Sequence, residues 1–320
     1  MASNRQTASS ARLMALNECH FTIAPSNVRF RPPTLDQRTG GHGLRALRRD
    51  GRTHPRAPGT LSIVRLQLDS GDLAHLWDLS DRLTPHLVGP PTAGPGVCPR
   101  CATWLPTTGR HFVFDNCVEV REALDREPLT LSVISLYRKP SRLRDLLTRY
   151  KGREDEDDSF DPQCGREVRS MLGRYFMEHG DRLLTLAGGV DGIVVVPSSE
   201  RPPPHPLEEV VDSLTLDLPR WSMLARGSGV LGFRNPNKDG YCLDMFRVPS
   251  RVLLLDDVYT TGSRLNSAAA ALSQAGHETV VALVLARRIN TDYKPEARQL
   301  WMNATAEPFD WQTSPRTIAA

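Results

Sequence analysis

The sequence predicts an α/β fold built on an open, mainly parallel sheet that is flanked by helices. Residues 252–255 are four apolar residues without a polar interruption, which is typical of a strand buried on both faces of a parallel sheet. Apolar residues then recur three and four positions apart from Leu265 to Leu272, which predicts a helix directly after that strand. Further strands are expected at 193–196, 241–248 and 279–285, and this alternation with helices indicates a parallel sheet.

Composition restricts the classes of protein to which the chain can belong. Its 320 residues carry a net charge of +3, but ten arginines and only three acidic residues lie within residues 1–60. The remaining 30 basic and 34 acidic residues make the body mildly acidic, so nucleic-acid binding by the core is not expected. Six unevenly spaced cysteines do not make a disulfide scaffold, and no apolar run approaches membrane length. A cytoplasmic protein without a membrane partner is expected.

Four segments are expected along the chain. Residues 1–60 are predicted to be a disordered basic arm, because arginine, proline, glycine and hydroxyl residues follow no hydrophobic period there. Residues 61–180 form an N-terminal module, 181–292 the α/β domain and 293–320 a C-terminal tail. Three interpretations of the arm stay open: a basic arm for nucleic acid, a flexible tail, or translation that begins near Val64.

The N-terminal module contains helices and one strand. A helix is expected at 72–87 with Ser70 as its cap, and a strand at 131–136. Ser141 is expected to cap the next helix. Another helix follows from the apolar residues at 168–175 and is expected to end near Gly180.

Three cysteines in this module indicate a structural zinc element at 98–120. Cys98 and Cys101 form a C-x-x-C pair that can grip one Zn²⁺ from a tight turn, and Cys117 follows. A redox role is less favoured, because a thioredoxin-type pair would open a helix after a strand.

The fourth zinc ligand is left open by the sequence. Val120 stands where a second C-x-x-C pair would have its last cysteine. His111 or Glu119 can supply the missing ligand, and the alternative is a degenerate finger with free thiols.

The most informative stretch follows the strand at 252–255. Asp256 and Asp257 come directly after it, and small residues suited to a phosphate cradle come next, namely Thr260, Thr261, Gly262 and Ser263. A loop that enters a helix presents unpaired N–H groups to an anion, and glycine lets the backbone approach it closely. Carboxylates accept hydrogen bonds from sugar hydroxyls, so the stretch indicates a phosphorylated sugar with Mg²⁺ nearby. Lysine does not follow the glycine, so a triphosphatase loop is not expected.

Residues 252–263 resemble the phosphoribosyl pyrophosphate motif of type I phosphoribosyltransferases, in particular the ComF-like, competence-associated family. The resemblance implies a phosphoribosyltransferase-like domain at 181–292, with Asp256 and Asp257 on the ribose 2′- and 3′-hydroxyls and residues 260–263 on the 5′-phosphate. It implies phosphoribosyl pyrophosphate as ligand and Mg²⁺ as cofactor. ComF-like proteins are also similar in having a small zinc-binding module ahead of the transferase core. The chain departs from the family at Arg264, where a small hydroxyl residue is usual.

The same resemblance implies a diphosphate site after the strand at 193–196. Ser198, Ser199 and Arg201 are its candidates, since the family places its pyrophosphate loop there. Where the family continues with arginine, glycine, phenylalanine and asparagine, this chain has a proline run that includes His205, interpreted as an exposed loop histidine.

Three further segments are similar to family elements. Lys151-Gly152 resembles a lysine-tyrosine-glycine element in altered order, and Ala286 with Arg287 resembles the closing alanine-arginine pair. Residues 224–241 resemble a mobile hood whose basic residues close over the diphosphate, or they form an ordinary surface loop.

Three functions follow from these observations. The first is an enzyme that transfers the phosphoribosyl group to an unspecified nitrogen nucleophile and releases pyrophosphate, with no catalytic residue assigned. The second is a non-catalytic protein that binds phosphoribosyl pyrophosphate or serves DNA uptake, which the missing arginine-glycine stretch favours. The third is an interaction protein on a scaffold that binds no such ligand.

Overall fold

The computed structural model describes residues 65–106, 112–152, 159–197, 203–243 and 250–318. The predicted disordered arm at 1–60 lies outside the described residues, and so do four residues singled out above, namely His111, Ser198, Ser199 and Arg201. The described residues form one compact unit.

Seven α-helices and six strands are present in the described residues. The helices are α1 Ser70–Leu83, α2 Asp115–Leu124, α3 Arg142–Arg149, α4 Pro162–Ala187, α5 Pro206–Ser213, α6 Ser263–Gln274 and α7 Pro295–Ala304. The strands are β1 Leu131–Tyr137, β2 Gly192–Val195, β3 Leu224–Arg226, β4 Tyr241–Leu243, β5 Arg251–Tyr259 and β6 Glu278–Arg288. No helix among the described residues is both long and apolar enough to cross a membrane.

The central sheet is parallel and has the strand order β1-β6-β5-β2. This confirms the predicted fold class, an α/β protein with a mainly parallel sheet flanked by helices. The strand predicted at 241–248 is placed wrongly, because β4 pairs with β3 in a separate antiparallel hairpin and residues 244–249 lie outside the described part. Charged residues interrupt the apolar pattern of 241–248, so the sequence has no long apolar run there of the kind that a central strand needs.

Both faces of the central sheet are covered. Along β5, Leu253 and Leu255 pack into a core with helices α1, α3, α4 and α5. Val252 and Leu254 point to the other face, where α6 and α7 pack. The uninterrupted apolar run therefore reflects burial on both sides of the strand, as the sequence predicts.

Two helix ends and one whole helix differ from expectation. The cap of α1 is Asp69, whose carboxylate accepts a hydrogen bond from the Asp72 amide at 2.8 Å, and not Ser70. Helix α4 does not end at Gly180 but runs to Ala187, because buried leucines continue its apolar face to a left-handed Gly188 with φ of +65°. Helix α7 was not predicted.

The predicted N-terminal module, α/β domain and C-terminal tail all contribute to the central sheet. Strand β1, in the predicted N-terminal module, pairs with β6, and the predicted boundary at residue 180 falls inside α4. The C-terminal segment also returns to the sheet, where Arg316 forms an antiparallel bridge with Val133. Residues on either side of residue 180 therefore contribute to the layers that hold β5 in place.

Candidate functional site

A cavity of about 290 Å³ opens where β5 passes into α6. Its walls are Asp256, the turn at 258–265 and the hairpin residues 231–233. Strand β5 is longer than predicted and includes both aspartates, since Asp256 pairs with Val284 in the sheet register. The aspartates are therefore held by the sheet itself and do not lie on a flexible tip.

Asp257 has one satisfied and one unsatisfied carboxylate oxygen. The Tyr150 hydroxyl donates a hydrogen bond of 2.6 Å to Oδ2, and the Lys151 ammonium pairs with the same oxygen. Oδ1 is buried and has no hydrogen-bond partner among the residues that the structure describes. An unpaired buried acceptor is costly, so a hydroxyl group or a hard cation that reached this oxygen would satisfy it.

The two aspartates differ in their ionisation. Burial raises the pKa of Asp256 to about 7, the Arg264 guanidinium opposes this change, and the neighbouring Asp257 carboxylate adds to it. Burial would also raise the pKa of Asp257, but the Lys151 charge and the Tyr150 hydrogen bond outweigh it and leave that pKa below its usual value. Asp257 is therefore ionised in the neutral range, whereas Asp256 changes its charge there.

We expect Asp256→Asn to raise the melting temperature above pH 7. The pKa of Asp256 is about 7 in the folded chain against 3.8 for the free side chain, so the folded state binds more protons between these values. The free energy of unfolding therefore falls as pH rises through this window, and the variant escapes the loss. Thermal melting from pH 4 to pH 8 should show a gain that is absent at pH 4 and full above pH 7.

The exposed hairpin residue Asp239 provides the control for this prediction. Asp239→Asn should leave the pH profile of the melting temperature unchanged. An Asp256→Asn profile parallel to that of wild type would contradict the prediction.

Gly262 forms the turn between β5 and α6. It has a φ of +89° and caps the helix, and its carbonyl accepts a hydrogen bond of 2.9 Å from the Asn266 side chain. A Cβ atom at this position would overlap the Tyr259 hydroxyl and lie 2.9 Å from Asn266 Nδ2. Only glycine fits this combination of positive φ and close approach.

Two hydroxyl groups of the turn converge on one oxygen atom. Thr261 and Ser263 both donate to the Phe233 carbonyl, the latter at 3.2 Å, and their own Oγ atoms are 3.1 Å apart. The Phe233 side chain is 65% exposed although its carbonyl faces the turn. The hairpin that contains Phe233 thus supplies an oxygen acceptor of the kind that a phosphate would offer.

The hairpin is held in place by two further contacts. Arg234 forms an ion pair with Glu119 of α2, with 3.1 Å between Nε and Oε2. The Asn237 amide donates to the Ser267 hydroxyl at 2.9 Å. Glu119 is engaged here and is not a member of the cysteine cluster in the described residues, so the structure does not support it as the fourth zinc ligand.

The sulfur atoms of Cys98, Cys101 and Cys117 form a buried cluster within 4.8 Å of one another. Hydrogen bonds from the other two thiols lower the pKa of Cys98 to about 2, whereas burial raises that of Cys101 to about 11. The Phe114 amide also donates to the Cys98 sulfur at 3.3 Å. One thiolate beside two thiols fits a soft cation such as Zn²⁺, which binds the deprotonated sulfurs.

We expect the purified protein to carry about one equivalent of zinc per chain and Cys101→Ser to lose it. Loss of one of three sulfur ligands leaves too few donors for a structural site. Metal analysis after dialysis measures the stoichiometry. Cys164, a buried free cysteine of α4, provides the matched control, and Cys164→Ser should keep the metal. Equal zinc in both variants would show that the metal is bound elsewhere.

Arg287 lies between the cysteine cluster and the turn. Its guanidinium donates from Nε to the Cys101 carbonyl at 2.9 Å and from Nη1 to the Thr260 carbonyl at 2.7 Å. It also lies over the Tyr259 ring, with 5.0 Å to the ring centroid. The sequence indicates Arg287 only as part of a closing pair, because nothing in the local pattern reveals contacts to such distant segments.

Comparison with known proteins adds little to this geometry. No protein-family model matches the chain, and no curated protein matches it. Among solved structures, the chain is similar to the adenine phosphoribosyl transferase from Trypanosoma brucei, which was crystallised in complex with AMP, pyrophosphate and ribose-5-phosphate. The two share 14% identity over 54% of this chain and 86% of that chain, with a TM-score of 0.28. This likeness is too small to transfer a ligand, so the function must be inferred from the site itself.

The interpretation of His205 as an exposed loop histidine is wrong. Its side chain is only 7% exposed, and the residue caps α5, where its amide donates to the Glu208 carboxylate at 2.9 Å. Burial lowers the pKa of its imidazole. His205 therefore anchors the start of a helix after the undescribed residues 198–202.

Tyr150 and Lys151 are site residues that the sequence does not reveal as such. The sequence assigned no role to Tyr150, and it indicated Lys151 only as part of a family-like element. The structure brings both to Asp257. A tyrosine and a lysine side by side at the end of an amphipathic helix were the available signal.

Proposed function

We propose that this chain binds phosphoribosyl pyrophosphate with Mg²⁺ where β5 meets α6, and that it belongs among the ComF-like phosphoribosyltransferases. The observation that carries the proposal is that acidic side chains and hydroxyl side chains lie at one cavity, within a few residues of each other in the sequence. Asp256 and the Thr261–Ser263 hydroxyls face the same cavity, with Asp257 buried beside them. An acidic subsite beside an anion subsite matches a sugar with free hydroxyls and a phosphate.

The anion subsite combines hydroxyl donors, the N-terminus of a helix and a backbone that a ligand can approach closely. Two hydroxyls aim at a single oxygen, which the Phe233 carbonyl supplies in the present conformation. The first N–H groups of α6 have no partner within the helix, and its dipole favours an anion. Gly262 removes the side chain that would otherwise keep a phosphate away from this backbone.

The acidic subsite has unused acceptor capacity. Asp257 Oδ1 is a buried oxygen without a hydrogen-bond partner, and it can accept one ribose hydroxyl. Carboxylate oxygens are also the ligands that Mg²⁺ prefers, so Asp256 and Asp257 fit that ion directly or through water. When bound, Mg²⁺ would offset the negative charge of the diphosphate.

The proposed reaction is a substitution at C1 of the ribose. The lone pair of the acceptor nitrogen forms a bond to C1 while the bond from C1 to the diphosphate oxygen breaks. Pyrophosphate leaves with the electron pair of the broken bond, and the proton of the acceptor nitrogen passes to solvent. The aspartates fix the ribose through its hydroxyls, and the turn fixes the 5′-phosphate, so the sugar is held at both ends while C1 reacts. Positive charge that develops on the ribose ring is stabilised by the ionised Asp257.

The diphosphate subsite stays a prediction. Ser198, Ser199 and Arg201 are its candidates and lie in the undescribed segment 198–202. The chain has a proline run where the family has an arginine-glycine stretch, which favours the second candidate function, a non-catalytic protein that binds the same ligand.

We expect isothermal calorimetry with Mg²⁺ to detect binding of phosphoribosyl pyrophosphate and, more weakly, of ribose 5-phosphate. Thr261→Val should lower the affinity for both ligands by about tenfold. A hydrogen bond from a hydroxyl to a charged phosphate contributes on the order of 1.5 kcal/mol or more to binding. Thr185→Val, which changes an exposed threonine of α4, should leave both affinities unchanged.

Pyrophosphate release with a panel of nitrogen bases separates the two functions. An enzyme releases pyrophosphate with one of the bases, whereas a binding protein takes up the ligand without turnover. If wild type binds neither ligand, the proposed function fails and a scaffold without this ligand is the remaining interpretation.

A further inference from the structure

Arg287 contacts both the cysteine cluster and the turn between β5 and α6, which lie far apart in the sequence. We propose that Arg287 is a positioning residue that couples metal loading of the Cys98, Cys101 and Cys117 cluster to the order of the phosphate-binding turn at 259–263. The consequence for ligand affinity depends on the proposed function. The effect of the metal on the order of the turn can be measured without any ligand.

The backbone of Arg287 is fixed by the sheet. The residue lies near the carboxyl end of β6 and is in register with Tyr259 of β5. Its side chain is only 3% exposed and has no freedom to turn toward solvent. Nη1 donates to the carbonyl of Thr260 at 2.7 Å and to that of Tyr259 at 3.3 Å, while Nε donates to Cys101 at 2.9 Å.

Holding these two carbonyls sets the direction of the next two amides. In a trans peptide, the C=O of one residue and the N–H of the next point in opposite directions. Arg287 holds the carbonyls of Tyr259 and Thr260, so the N–H groups of Thr260 and Thr261 point away from the guanidinium. Both threonines line the cavity. Arg287 therefore presets amide donors of the turn for an anion.

The other end of the connection is a tight turn of the cysteine element. The Cys98 amide donates to the Thr103 carbonyl at 2.7 Å, and the Ala102 amide donates to the Cys98 carbonyl at 3.1 Å. Ala102 has a φ of +52°, an unfavourable conformation that surrounding contacts must maintain. A metal held by the three cysteines would fix this turn and with it the Cys101 carbonyl. Without the metal, Arg287 loses a fixed acceptor on that side.

Amide hydrogen exchange of the full chain tests the coupling. Zinc-loaded and chelator-treated protein are compared over a peptide that covers the turn at 259–263. We expect exchange of the turn to become about tenfold faster on metal removal, the effect of weakening one hydrogen bond to a charged group. A peptide from the core of α4 should exchange at the same rate in both samples, which excludes global unfolding.

A variant of Arg287 separates coupling from general loosening. Arg287→Lys keeps the charge, but an ammonium group cannot span carbonyls on both sides as the planar guanidinium does. In Arg287→Lys, the amide hydrogens of the turn should exchange fast with or without metal, while the zinc content stays at the wild-type level. Arg288→Lys, at the next position of β6, should respond to metal removal as wild type does. If Arg287→Lys does not fold, Arg287→Gln replaces it, since it keeps a planar donor.

Three results would overturn the coupling: no uptake of zinc by wild type, turn exchange that is indifferent to the metal, or an equal metal effect in Arg287→Lys and wild type. Ribose 5-phosphate affinity is measured in the same samples and should fall by about tenfold in metal-free wild type. If wild type does not bind ribose 5-phosphate even with zinc, the proposed function fails, while hydrogen exchange still decides the coupling.

Discussion

Asp257→Asn is expected to weaken phosphoribosyl pyrophosphate binding by about tenfold or more while the fold persists. The substitution removes the charge that a sugar hydroxyl or Mg²⁺ would meet at Oδ1, the buried oxygen without a partner. A hydrogen bond to a charged group contributes about 1.5–3 kcal/mol, which sets the size of the effect. The fold should persist because the Asn carbonyl can still accept from Tyr150, and Lys151 is 32% exposed and can be hydrated.

Calorimetry in the presence of Mg²⁺ measures the affinity, and thermal melting checks the fold. Asp239→Asn removes an equal charge from the exposed part of the hairpin and should leave the affinity unchanged. Asp257→Asn should also lower the affinity for ribose 5-phosphate, because this ligand carries the same hydroxyls. Unchanged affinity for both ligands would show that Asp257 serves only the contacts with Tyr150 and Lys151.

Gly262→Ala is expected to abolish most of the phosphate affinity and to destabilise the chain. A positive φ costs an L-residue about 1–2 kcal/mol, and the new Cβ also overlaps the Tyr259 hydroxyl. Tyr259 is only 2% exposed and lies against Arg287, so it cannot move aside without disturbing the turn. Ribose 5-phosphate binding should therefore fall by at least about tenfold, as measured by calorimetry.

Gly276 provides a control in which substitution strains the backbone but causes no steric overlap. It follows the other end of α6 with a φ of +90°, and a Cβ there meets nothing within 4 Å. Gly276→Ala should lower the free energy of unfolding by about 1–2 kcal/mol and leave ligand affinity unchanged. If the two variants behaved alike, steric overlap at Gly262 would not be the reason for its sensitivity.

The sheet and the candidate site could be anticipated where the signal is local. Burial of both faces of β5 follows from an uninterrupted apolar run, and the turn at 260–263 follows from its small residues. The position of 241–248 could not be anticipated in this way, because a strand pattern does not say which partner the strand will pair with.

The contacts that tune the site are long-range and left little trace in the sequence. Tyr150 meets Asp257 across 107 positions, and Arg287 meets Cys101 across 186. Each is an ordinary polar residue near the end of a regular element, and only the packing of α3 and β6 decides what it touches. The division of the aspartate pair into one low and one high pKa likewise depends on partners that no local motif contains.

The contact between the Phe233 carbonyl and the hydroxyls of Thr261 and Ser263 has a kinetic consequence. The proposed phosphate ligand cannot receive these hydrogen bonds until the hairpin gives them up, so the chain itself would compete with that ligand. The apparent affinity is then the intrinsic affinity multiplied by the fraction of molecules in which the hairpin has withdrawn. The rate of capture should level off at high ligand concentration, at the rate with which Phe233 departs.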